Sequence, residues 1–284
     1  AEDVDVGGVI RVSDVLQAGR ISVGGSIDCG RIEAGRIDVG GVVETGDCLV
    51  EDVISIGGTL RANGLVKTRI LEVGGTAQLA RGEIEKIDVG GTLAVEENLK
   101  ARDIDVGGTV RVGGALEAED VDVGGTVEAW EGIRVRRSLD VGGAVKTRGL
   151  IEAGRIDVGG VLEARKIRAR RVDANRIETR EGVWAEEVEV GSRGRVKGVV
   201  VAERVYLEER VTAEDIYAVE LETEENCRLH NIYARRIRLG DHTRVLGEIR
   251  YVEKLETGES VWLAKPPRQV PDIAFPEERE QQTG

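Results

Sequence analysis

IDVGGTLAVEENLKARD, residues 87–103, decides the fold. Three short pieces follow one another in it: Ile87-Asp88-Val89, Leu93-Ala94-Val95 and Leu99-Lys100-Ala101, each with apolar residues at its first and third places. A period of two marks a strand with one buried face, and the three-and-four spacing of an amphipathic helix is missing. At Ile104 the pattern begins again.

The glycine pair of this stretch recurs at Gly7, Gly24, Gly40, Gly57, Gly74, Gly90, Gly107, Gly124, Gly142 and Gly159, in steps of 16–18 residues. Past Gly160 the glycines fade, but the aliphatic starts continue at Val172, Val188, Val205, Leu221, Ile237 and Leu255. From Val4 to Leu255 the mean period is about 16.7 residues. Three strands per period, corners at Gly-Gly or polar pairs and no hairpin signature describe a coil wound in one direction. The expectation is an all-β fold: a single-stranded, three-sided parallel β-helix of about 16 turns over residues 1–264. Left-handed coils of this kind keep a strict six-residue repeat, which periods of 16 and 17 break, so a right-handed coil is expected. The glycine pairs supply corners that need either a positive φ or the absence of a Cβ. Beyond Gly160 the corners are expected at Asn175-Arg176, Gly191-Ser192, Glu208-Glu209 and Gly240-Asp241. Residues 265–284 carry all four prolines and the only Phe, and read as an extended or disordered tail.

Composition agrees with a core of small aliphatic residues. The chain has 284 residues, 39 of them Gly, and aromatics make up only 3%. Arginine dominates the basic residues and Gln and Asn are sparse, a composition seen in thermophilic proteins. A net charge of −13 disfavours nucleic acid as a partner. No stretch approaches the ~20 apolar residues of a membrane-spanning helix, and the first residues do not read as a signal peptide. A cytoplasmic location is expected, with membrane association left open and the cell surface as the alternative.

The chemistry-bearing residues are few. His230 and His242 are the only histidines, too few for a three-histidine zinc site, and surface or corner positions are expected for both. Cys29, Cys48 and Cys227 are too scattered for a disulfide framework and read as small buried hydrophobes. The place after each start is often acidic: Asp5, Asp38, Asp88, Asp105, Asp122, Asp140, Asp157 and Asp173. Arg20, Arg36, Lys86, Arg155, Arg171, Arg204 and Arg236, just before the starts, are expected to compensate that outward column. At Asp103, Asp105, Asp120 and Asp122 no base intervenes, and a hard cation could sit there. The basic run Arg165-Lys166-Ile167-Arg168-Ala169-Arg170-Arg171 reads as an ion-paired, solvated face. Turns of such even length leave no loop to build a cleft. No catalytic residue, cofactor, metal or small-molecule substrate is therefore expected, and a carbohydrate-active enzyme ranks last among the readings.

A chain made almost wholly of short, loop-free, Val- and Gly-rich turns resembles the bactofilins, the polymer-forming cytoskeletal proteins. IDVGGTVRV (104–112) and IEAGRIDVGG (32–41 and again 151–160) carry the resemblance, which covers about residues 2–264. It implies end-to-end stacking into filaments without nucleotide, as a scaffold, often near a membrane; the family's own core has far fewer turns. A coil end exposes unpaired backbone groups, which independently favours a second copy as partner. The expected polymer contacts are Val4 and Val6 in one terminal turn and Val261, Trp262 and Leu263 in the other. Phe275, in the tail, is the sixth candidate polymer contact: the tail either folds over the last turn, capping it or completing the contact to the next copy, or stays mobile. A cell-surface fibre or layer protein is the alternative reading.

Overall fold

A computed structural model of the chain describes residues 2–276. Ala1 and residues 277–284, which the sequence reading placed in the first turn and the tail, lie outside the described residues. The chain divides into two compact units between Arg148 and Gly149. Each is a parallel β-solenoid, and together they count about 16 turns. Among the described residues there are strands and no helix.

In the first unit the starts lie in register from turn to turn. Val4 pairs with Ile21, and Ile37, Ile54, Leu71, Ile87, Ile104, Val121 and Leu139 follow in one column. From Ile21 to Leu139 these side chains are buried. Two places on, Val23, Val39, Ile56, Val73, Val89, Val106, Val123 and Val141 form the second buried column of that side. Ile27, Val43, Leu60, Ala77, Leu93, Val110, Val127 and Val145 line the next side of the lumen. Branched side chains suit this stacking because each fits the pleat of the turn above and below. Even a gap is filled: Gly82 stands in the Leu99 column, and the Leu99 Cδ1 lies 2.9 Å from where a Gly82 Cβ would be.

The glycine pairs resolve to the second of the two readings for their corners. None of them has a positive φ. Instead, the turns approach so closely that a Cβ on Gly108 would lie 2.4 Å from the Gly91 carbonyl oxygen, and one on Gly58 2.5 Å from that of Gly41. The pair also carries the corner's hydrogen bonds: the Gly124 amide donates to Val106 at 3.0 Å and the Gly143 amide to Gly125 at 2.9 Å.

The second unit keeps the aliphatic ladder, with Val205, Leu221, Ile237 and Leu255 in register. Its corners differ. Arg193, Arg210, Asn226, His242 and Ser260 adopt φ of 55–62°. These left-handed residues lie just beyond several of the polar corner pairs read from the sequence. Each of the first four donates its amide to a carbonyl one turn on: Glu209, Glu225, Asp241 and Glu259, at 2.7–3.0 Å. Left-handed backbone is strained for residues with a Cβ, and these turn-to-turn hydrogen bonds hold it in place.

Pairing does not stop at Ala264. Arg268–Gln269 forms a short strand parallel to Arg250–Tyr251, and the Val270 amide donates to the Tyr251 carbonyl at 2.8 Å. The chain then turns back along the flank of the unit. Ile273 is buried, and the Phe275 ring lies 6.5 Å from that of Tyr217. Tyr217 stacks on Tyr233 at 4.5 Å, and Arg250 and Arg268 continue that outward column. Phe275 thus sits three turns back from Arg268, against the side of the solenoid and not over its last turn. Phe275→Ala should release this strap while leaving the solenoid folded. Amide exchange at Gln269 and Val270 should then rise roughly fivefold, for an aromatic contact of about 1 kcal/mol. Unchanged exchange there would show that Phe275 does not hold the strap.

Candidate functional site

The lumen columns are closed by the turns on either side of them, so lumen-facing apolar side chains are left half-covered at the outermost turns. In the first turn, Asp3–Val6 pairs with Arg20–Val23. Val4, Val6, Ile10 and Val12 are only half-buried there, whereas Ile21, Val23, Ile27 and Cys29 one turn on are buried. In the last turns of the second unit, Trp262–Leu263 pairs with Arg244–Val245. Leu255, Val261 and Leu263 are half-buried, while Ile237, Leu239 and Val245 behind them are buried. Trp262 is 52% exposed. Of the six residues singled out from the sequence, Val261, Trp262 and Leu263 come together, and Val4 and Val6 share a turn. Phe275 stands apart on the flank.

The acidic column is real, but its compensation differs from expectation. Glu72, Asp88, Asp105, Asp122 and Asp140 stack in consecutive turns. Arg155 pairs with Asp157 at 2.9 Å, whereas Arg171, Arg204 and Arg236 turn to glutamates of neighbouring turns. Burial, then the nearby Glu189 and Asp157, push the Asp173 carboxyl above its ordinary range. The cation site suggested at Asp103, Asp105, Asp120 and Asp122 is corrected. Arg102 binds Asp103 at 3.0 Å, and Arg137, from two turns beyond Asp103, ion-pairs with both Asp103 and Asp120. An arginine reaching across turns is invisible to a search for bases at fixed places. Among the described residues, no group of three or more His, Cys, Asp or Glu is placed to hold a metal.

The remaining residues take modest places. His242 occupies a left-handed corner, and His230 is exposed with its Nδ1 3.5 Å from Asp215. All three cysteines are free and buried, and burial pushes the Cys48 thiol up to about 12. In the basic run, Arg165 meets Glu181 at 2.7 Å, Arg168 meets Glu152 at 3.9 Å and Arg171 meets Glu189 at 2.8 Å. Lys166 breaks the pattern: it is buried, with its ammonium 4.9 Å from the Trp184 ring centre. Sequence reasoning missed this contact, since nothing in a Lys before an inward Ile signals that both are covered.

This geometry defines a class, the parallel β-solenoid with aliphatic lumen and close-packed corners. No family model, curated protein or solved structure matches the chain.

Proposed function

We propose that this chain is a structural, self-assembling scaffold protein whose copies stack end to end through the edges of their terminal turns, without nucleotide, in the manner of the bactofilins it resembles. The observation that carries the reading is the half-open lumen at Val4, Val6, Ile10 and Val12, and again at Leu255, Val261 and Leu263. Such a surface presents both aliphatic side chains and the backbone groups of an unpaired strand edge. Another solenoid turn is the partner whose shape and hydrogen-bonding pattern fit both. Covering a half-exposed Val or Ile contributes roughly 1 kcal/mol each, so an edge of this kind supports a contact of useful strength once its backbone groups also pair. Trp262, mostly exposed beside that edge, adds an aromatic anchor of the kind enriched at interfaces.

The test is a sedimentation assay on purified full-length chain with chelator and no nucleotide. The protein should pellet as a polymer at micromolar concentration, and adding nucleotide or magnesium should leave the pelleted fraction unchanged. A strictly monomeric protein across salt concentrations would overturn the proposal.

A further inference from the structure

One flank of the first unit carries charge in an order found on no other column of that unit described above. Lys67, Glu83, Lys100, Glu117 and Arg134 lie in register in five consecutive turns. Two places further along each turn stand Arg69, Glu85, Arg102, Glu119 and Arg136. Both residues of any one turn share a sign, and the sign inverts at every turn. The result is a set of bars, positive, negative, positive, negative, positive, flanking a shallow trough.

Ion pairs between turns accompany this order: Lys67 with Glu83 at 3.4 Å, Arg134 with Glu117 at 3.4 Å and Arg136 with Glu119 at 3.5 Å. Relief of repulsion within the solenoid does not explain it, however. The same unit stacks five carboxylates, Glu72 to Asp140, in consecutive turns on another side. Exposed pairs of this kind also contribute little to stability. What the alternation does provide is a pattern that a partner can read.

We propose that this flank is a lateral interface at which two copies of the chain pair side by side and antiparallel. The bars repeat every two turns, about 9.6 Å. An extended peptide repeats its side chains every ~6.6 Å on one face and falls out of step. A polyanion would be repelled by every second bar. A second copy has the matching spacing by construction. Around a two-fold axis placed between the bar of Glu83 and Glu85 and the bar of Lys100 and Arg102, each of these bars faces the other in the partner. Lys67 and Arg69 then face Glu117 and Glu119, and Arg134 and Arg136 reach the turn of Glu51 and Asp52. In the four central turns every opposed pair is of opposite sign; in the outermost, Leu49 holds the place in register with Lys67 and Glu51 and Asp52 supply the negative charge, and the isologous contact closes as a dimer. A parallel pair without offset would set like against like throughout. Electrostatic contacts of this sort govern register and weaken with salt. The inference uses a surface distinct from the turn edges, so it stands or falls independently of the end-to-end reading.

Sedimentation velocity tests it, with Val4→Lys and Leu263→Lys present in every sample so that neither turn edge contributes. The expected result is a dimer at about 25 mM salt that dissociates at about 500 mM. E83K/E85K alone and K100E/R102E alone should each raise the dimer dissociation constant at least about tenfold, because each sets like bars face to face. An equimolar mixture of the two variants should restore dimers, since each then presents the sign the other lacks. The exchange E83K/E85K/K100E/R102E, which keeps the net charge, should also dimerise and serves as the folded control. A parent that stays monomeric at low salt, growth beyond dimers, dimers indifferent to the double variants, or a mixture no better than either variant alone would overturn the proposal.

Discussion

Val106→Asp is expected to cost about 4 kcal/mol at neutral pH and to lower the melting midpoint accordingly. Val106 is fully buried between Val89 and Val123, which stack directly on either side of it. A carboxyl there displaces a methyl pair from an aliphatic column that offers no hydrogen-bond donor among its neighbouring side chains. The penalty should depend on pH in a definite sense. Burial raises the carboxyl's folded-state value above the ~3.9 of the unfolded chain. Below that unfolded value both states hold the proton, and only the cost of burying a neutral acid remains. As pH rises above it the unfolded state ionises first, and the variant weakens progressively until the folded value is passed. Val106→Ile, which keeps the column apolar, should cost about 1 kcal/mol. Thermal melts of the three proteins at acidic and neutral pH check the claim; equal midpoints for Val106→Asp and the parent would show that Val106 does not face the lumen.

Gly108→Val should be nearly as damaging for a different reason. Its Cβ would lie 2.4 Å from the Gly91 carbonyl oxygen, a backbone atom held in the corner's hydrogen-bonded stack. Relief requires the two turns to separate locally, which would also disturb the contact at Gly125, whose own Cβ position lies 2.4 Å from the Gly108 oxygen. The expected cost is about 2–3 kcal/mol, and because each turn touches only its neighbours the loss should be local in hydrogen exchange. Gly8→Val is the control. Nothing lies within 4 Å of a Cβ at Gly8, so that variant should melt with the parent. Matching losses at Gly8 and Gly108 would mean that chain flexibility, and not contact between turns, dictates the glycine.

The fold was legible because a solenoid writes its geometry into the chain. One turn has a fixed perimeter, so Ile87 and Ile104 recur at that distance, and Gly90 and Gly107 mark where turns crowd. The corners of the second unit were legible only approximately. Residues such as Arg210 and His242 are held left-handed by hydrogen bonds to the next turn, and they are not the Gly or Asn that such backbone favours and that a sequence reading looks for. The Arg137 contacts with Asp103 and Asp120 were hidden because a long side chain crosses turns that only the three-dimensional register brings together. The path of the strap was hidden too: Phe275 is apolar, which fits burial over an end or against a flank equally well, and the stacked Tyr217 and Tyr233 decide it. Val4, Val6, Val261 and Leu263 were found from position in the repeat, and their half-exposure follows from having a neighbouring turn on one side only among the described residues.

Stacking through the turn edges is tested most directly by electron microscopy of the negatively stained full-length chain beside Val4→Lys. Val4 is half-exposed in the first turn, so an ammonium there is tolerated by the free chain and must be stripped of water only when another turn covers it. The parent should form filaments without nucleotide, and Val4→Lys should form none, with an unchanged melting midpoint confirming that the chain remains folded. Filaments of normal length from Val4→Lys, or none from the parent, would contradict the account.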